Sequence, residues 1–206
     1  MDESPRVFAI VPAAGHSQRM GRDKQLIEIN GKPMLRAVVD TLIAAGVARV
    51  MVVTRRAIVE AMGMPHVNRA HVAYNEDASS EMIDSVRIGL KESLMRFGNE
   101  PTDGILVCPA DHPGLSVADV RACLDAFRET PNQIVIASHE GKRGHPMIFP
   151  VALTEFVRSS TCDSGLNAMA NSHYERVLTV PCSSRGVTHD VDTPNELGES
   201  HGAFDP

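Results

Sequence analysis

Short, continuously apolar runs alternate along this chain with longer amphipathic stretches, and that alternation restricts the fold more than any other feature. VFAIV (7–11), VMVV (50–53), VAY (72–74), ILVC (105–108) and IVIA (134–137) carry no polar side chain apart from the Tyr and Cys at two of their ends, as strands buried on both faces do. Between them, PMLRAVVDTLIAAG (33–46), SEMIDSVRIGLKESLMRFG (80–98) and SVADVRACLDAFRE (116–129) repeat apolar residues at intervals of three and four, the period of a helix laid on a core. Strand, helix, strand, helix requires crossover connections. The expected fold is therefore a three-layer, Rossmann-like α/β architecture with a mostly parallel sheet. Pro33 and Gly46 bracket the first helix, and Ser116 with Asp119 behind it opens another. After about residue 138 the elements shorten, and they are expected as a strand pair and small helices added to the edge of the sheet.

Composition narrows the function. With 206 residues and 43% hydrophobic content the chain can bury a full core, and no linker interrupts it, so 1–206 is expected as a single domain. A net charge of −6 gives no footprint for nucleic acid or an anionic membrane surface, so any anion must be met by a local cluster. No apolar stretch approaches the ~20 residues of a membrane span. The acidic start MDESP lacks the features of a signal peptide, and a cytoplasmic location is expected. Cys108, Cys123, Cys162 and Cys182 show no CxxC spacing and are expected as reduced, buried thiols.

Four segments carry chemistry. PAAGHSQRMGRDK (12–24) leaves the first strand where ligands of open parallel sheets collect. Ala13, Ala14 and Gly15 keep side chains away from the backbone, while Arg19 and Lys24 suit phosphate oxygens. Neither GxxxxGK[ST] nor GxGxxG is present. Residue types alone leave a solvated basic turn equally open. VCPADHPGLS (107–116) sets Asp111 between two prolines at a strand's carboxyl end, where a carboxylate suits Mg²⁺ or serves merely as a turn residue. In GKRGHPMIF (141–149), His145 is held extended by Pro146, as a ligand contact or as a structural histidine. In THDVDTPNEL (188–197), Asp190 and Asp192 would share one face of a strand. Two carboxylates together call for a cation, although a helix cap before Pro194 is the alternative.

The extended stretch PAAGHSQRMGRDKQLIEINGKPML (12–35) resembles the nucleotide-binding signature of the MobA-like nucleotidyltransferases, and the other three segments follow in that family's order. The resemblance implies a nucleotide-binding half over about 1–115 and an acceptor-binding half over about 116–200. Arg19, Lys24 and Asp111 would be catalytic. Ala13, Ala14, Gly15 and Ser85 would join Arg19 and Lys24 on the nucleotide, and Asp111 with Asp192 would hold Mg²⁺. Gly144, His145, Pro146 and Asp190 would face the acceptor. The implied reaction transfers CMP from CTP to molybdopterin with release of pyrophosphate, and a molybdoenzyme would receive the product. Ala13-Ala14 resembles the cytidylyl branch, since the guanylyl branch tends to carry Gly-Gly there. Alternatives are a guanylyl or sugar-phosphate transferase of the same fold, or a non-catalytic carrier of nucleotide or cofactor. The chain departs from the family pattern at Glu81, where glycine is usual, at His112, which replaces glutamine, and in CDSGLNAMA (162–170), which lacks a first glycine and a later basic residue.

Overall fold

The computed structural model describes residues 4–15, 23–63, 70–98 and 100–191. The chain begins with β1 (Val7–Ala13), β2 (Glu28–Ile29), β3 (Lys32–Pro33) and helix α1 (Met34–Ala45). It continues with β4 (Arg49–Thr54), α2 (Arg56–Ala61), β5 (His71–Tyr74), α3 (Met82–Phe97), β6 (Gly104–Val107) and α4 (Val117–Glu129). The last third holds β7 (Ile134–His139), β8 (Lys142–Pro150), α5 (Thr154–Arg158), α6 (Leu166–Ser172) and β9 (Val177–Pro181).

Seven strands form one sheet in the order β5-β4-β1-β6-β8-β7-β9. All pairings are parallel except those of β8, which runs against both β6 and β7. Every residue of β1 is buried, and its side chains divide by parity. Val7, Ala9, Val11 and Ala13 meet α1 and α4, together with Ile58 of α2. Phe8 and Ile10 meet α3, α5 and α6. A strand that is apolar at every position thus seeds two cores at once, giving helix, sheet and helix layers. At the opposite end of the sheet from the site described below, Arg6 donates from Nε and Nη2 to the carboxylate of the buried Asp103 (3.1 and 2.6 Å), joining the starts of β1 and β6.

The five runs read from the sequence are all strands. The segment after residue 138 is placed differently from the expectation: β8 is not added at the edge but lies inside the sheet, and only β9 forms the new edge. The physical reason is its second half, Pro146–Pro150, which is buried throughout and needs helices on both faces. The two-residue turn Glu140-Gly141, with φ of 49° and 78°, turns β7 directly back into β8, as hairpins of this twist favour. Asn30-Gly31 does the same between β2 and β3, which accounts for the Asn-Gly of the first signature. In β8 the register with β7 shifts between Ile136 and Ser138. Gly144, His145 and Pro146 fall in that irregularity, beyond the last pair with β6, Val107↔Met147. There a proline costs no ladder hydrogen bond.

Candidate active site

The carboxyl ends of β1 and β6, with the start of α3, open onto a cavity of about 260 Å³. Ala13, Ala14, Gly15, Lys24, Ser85 and Asp111 all line it. Residues 87 apart in sequence meet here: Lys24 Nζ donates to Asp111 Oδ2 at 2.7 Å, with both side chains largely buried. Lys24 opens a single 3-10 turn, Lys24–Leu26, which aims it across the end of the sheet. Asp111 is fixed from the other side. The β1–β6 ladder continues past the strand, with Cys108 N–H to Ile10 O and Ala110 N–H to Pro12 O, and the Val191 amide donates to the carbonyl of Asp111 itself at 2.9 Å.

The first loop is held from behind through its carbonyls. Gln25 Nε2 donates to Ala13 O (3.0 Å) and Gly15 O (2.8 Å), Thr54 Oγ1 also donates to Ala13 O, and Arg55 Nε donates to Ala14 O. Arg55 in turn pairs with Asp23. Because a trans peptide is planar, a carbonyl fastened to the scaffold turns the following N–H the opposite way. The amides of Ala14 and Gly15 are thereby fixed in direction, an arrangement suited to anion oxygens. The sequence reading passed over Gln25, Thr54 and Arg55, since their contribution goes through backbone atoms. The only available signal was the position of Gln25 inside the quoted signature, next to Lys24.

On the far wall, Asn75 at the end of β5 donates from Nδ2 to Ser80 Oγ and Ser85 Oγ, both at 2.9 Å. This buried amide sets the first turn of α3 against the cavity, and it too was missed. Glu81, the position at which the resemblance leads one to expect glycine, is the N-cap of α3. It forms a reciprocal capping box with Asp84, whose Oδ2 accepts the Glu81 amide at 2.9 Å. Its backbone is ordinary extended chain, φ −85°, so no glycine is required there.

The acceptor-side residues occupy neighbouring ground without lining the cavity. Gly144 is pressed against Val187 and Thr188: a Cβ on it would stand 1.9 Å from Val187 O. His145 stacks edgewise on His112, centroids 5.0 Å apart. Burial, followed by the neighbouring His112, lowers the His145 pKa to about 4, so the ring is neutral at ordinary pH. Asp190 is exposed, and residues 188–191 form no strand, which corrects the expectation that Asp190 presents its side chain on a strand face. The next residue, Val191, is buried among Ile27, Ile29 and Met34. Arg19 and Asp192 lie outside the described residues.

The cysteines are all free and buried. Burial, with Asp111 adding to it, pushes the Cys108 thiol well above the usual range, so it is no nucleophile.

Two buried oxygens of residues lining the cavity have no hydrogen-bond partner among the described residues, Gln25 Oε1 and Asp111 Oδ1. A buried carboxylate oxygen without a donor, beside a cavity lined by a lysine and ordered amides, fits a divalent cation that would take its other ligands from phosphate and water. Among the described residues no group of three or more His, Cys, Asp or Glu side chains is gathered for a metal.

Comparison with known proteins agrees with this geometry. Residues 9–177 match the MobA-like NTP transferase domain. Purine catabolism protein PucB of Bacillus subtilis (strain 168) is 25% identical over 201 residues, covering 94% of this chain and 95% of the relative. A probable molybdenum cofactor guanylyltransferase of Rhodopirellula baltica is 27% identical over 205 residues, covering 94% and 91%. Among solved structures, Rv0371c of Mycobacterium tuberculosis H37Rv in complex with manganese superposes with a TM-score of 0.74 at 22% identity, covering 97% of this chain and all of that one. A loop of fixed amides, a lysine and a carboxylate brought together at the ends of parallel strands, within a sequence that matches over most of its length, make this chain a nucleotidyltransferase of the MobA-like NTP transferase family.

Proposed function

We propose that the protein transfers CMP from CTP to the terminal phosphate of molybdopterin, releasing pyrophosphate. The observation that carries this reading is the Lys24–Asp111 pair on the wall of the cavity, which sets a cation for phosphate oxygens beside a carboxylate for a metal. Lys24, Arg19 and the Ala14 and Gly15 amides bind the triphosphate, and Ser85 meets the nucleoside part. Asp111, with Asp192, holds Mg²⁺ or a similar ion, which neutralises charge on the phosphorus oxygens when bound. The attacking phosphate oxygen forms a bond to the α-phosphorus as the bond to pyrophosphate breaks. That nucleophile is already ionised, so positioning and charge neutralisation suffice, and no general base is needed. A histidine as resistant to protonation as His145 fits contact with the acceptor, alongside Gly144, Pro146 and Asp190.

The metal role of Asp111 is supported by its unpartnered Oδ1, and that of Asp192 by the bond from its neighbour Val191 to Asp111. Manganese in the Rv0371c complex is in keeping with a divalent ion in this fold. Ala13-Ala14 favours cytidine. The name of the Rhodopirellula relative favours guanosine as the second reading. No helix among the described residues is long and apolar enough to cross a membrane, which suits action on soluble substrates in the cytoplasm and hand-over to a molybdoenzyme.

Pyrophosphate release settles the matter: the protein is incubated with molybdopterin, Mg²⁺ or Mn²⁺, and each NTP in turn. Release with CTP is expected. Release with GTP alone moves the assignment to the second reading, and nucleotide binding without release under any condition makes the chain a carrier.

A further inference from the structure

His112, the residue that departs from the family pattern beside Asp111, is buried at 6% exposure, and among the described residues its ring makes one hydrogen bond. Its Nδ1 lies 3.2 Å from the carbonyl oxygen of Gly186. A carbonyl can only accept, so Nδ1 carries a hydrogen, and Nε2 is left as the nitrogen that can bind a metal ion. That nitrogen lies 3.8 Å from Asp111 Oδ1, the same oxygen that finds no donor. A ring nitrogen and a carboxylate oxygen thus face each other at a separation longer than a hydrogen bond. Donors each about 2.1 Å from a shared metal ion stand at most about 4.2 Å apart, and 3.8 Å falls within that reach.

The carbonyl that fixes the tautomer is itself immobilised. A Cβ on Gly186 would stand 1.9 Å from Gly114 O. Ser184 Oγ donates to Gly114 O at 2.9 Å and accepts from the Gly186 amide at 3.0 Å. The ring therefore has little freedom to turn its N–H toward Asp111. Hydrogen bonding of the far nitrogen to a backbone carbonyl is also how metal-bound histidines are commonly oriented.

We propose that His112 Nε2 is a ligand of the divalent ion held by Asp111, and that this nitrogen tilts the centre toward first-row transition ions over Mg²⁺. The inference rests on the metal role of Asp111 given above. Its chemical basis is that Mg²⁺ favours oxygen donors whereas imidazole suits transition ions. The glutamine that His112 replaces would offer an amide oxygen instead.

The test uses Mn²⁺ with inorganic triphosphate, an anion that contains no nitrogen, so that any coupled nitrogen belongs to the protein. Electron spin-echo modulation is expected to show an imidazole ¹⁴N coupled to Mn²⁺ in the unaltered chain, changing to ¹⁵N when only histidine is labelled. In His112→Asn the amide nitrogen takes the place of Nδ1 beside Gly186, so the fold is kept. The coupling should vanish, and the preference for Mn²⁺ over Mg²⁺, from competition binding, should fall at least about tenfold. Persistence of the coupling in His112→Asn, or its absence from the unaltered chain with Mn²⁺ bound, overturns the proposal. Asp111→Asn separates the two ideas: if it binds Mn²⁺ undiminished, or if the unaltered chain binds none, the assignment of a metal to Asp111 fails first.

Discussion

At the scale of single residues, the site divides into groups that face the cavity and groups that hold them there. Lys24 belongs to the first. Its replacement by alanine removes a charge from a largely buried pair near the mouth of the cavity, not from the core. Turnover by Lys24→Ala is expected to fall by about 10²–10³, the cost of removing one preorganised electrostatic contact, while the melting temperature stays within a few degrees. Pyrophosphate release and a thermal melt check both halves. Gln25 belongs to both, lining the cavity while holding the first loop. Gln25→Ala strips the donor from Ala13 O and Gly15 O, so the loop amides lose their fixed direction. KM for the nucleotide is expected to rise more than kcat falls, as steady-state kinetics will show. The facing residues were legible in the sequence because phosphate chemistry admits few side-chain types. Gln25, Asn75 and Arg55 were not, because any donor of suitable length can hold a carbonyl, and reach is a property of the folded chain.

At the scale of elements, the start of α4 shows how one side chain can serve a helix and its surroundings together. Ser116 Oγ accepts the Asp119 amide at 3.1 Å and donates to Asp119 Oδ2 at 2.7 Å. Asp119 in turn accepts the amides of Ser183 and Ser184 from beyond β9. Ser116→Ala is expected to destabilise the fold by about 1 kcal/mol, measured by chemical denaturation, without changing the denaturant slope. The cap was readable from Ser-x-x-Asp before an apolar period. The capping box at Glu81 was not, because family comparison framed that position as a lost glycine and so drew attention to the ligand, not the helix. Strand β8 escaped for a related reason. Its first half, Lys142 to His145, is exposed or partly so, and the apolar run that marks a buried strand starts only at Pro146.

For the whole molecule, the last described stretch acts as a strap that reaches the site from the far side of the chain. Gly144 and Gly186 are the two places where it presses backbone against backbone. Gly186→Ala forces Gly114 and residues 184–188 apart. A loss of at least about 1–3 kcal/mol is expected from overpacking. Because the Gly186 carbonyl orients His112, pyrophosphate release should fall further than a control variant of equal melting temperature. The interior position of β8 has a consequence during synthesis. Strands β1, β4, β5 and β6 can assemble as soon as residue 107 is available, but the outer side of β6 then stays open while roughly forty more residues emerge. Strand β7 joins the sheet through β8, and β9 joins only through β7. A nascent or truncated chain ending before residue 150 therefore displays a raw apolar edge able to recruit other copies, and the antiparallel strand works as the latch that closes it.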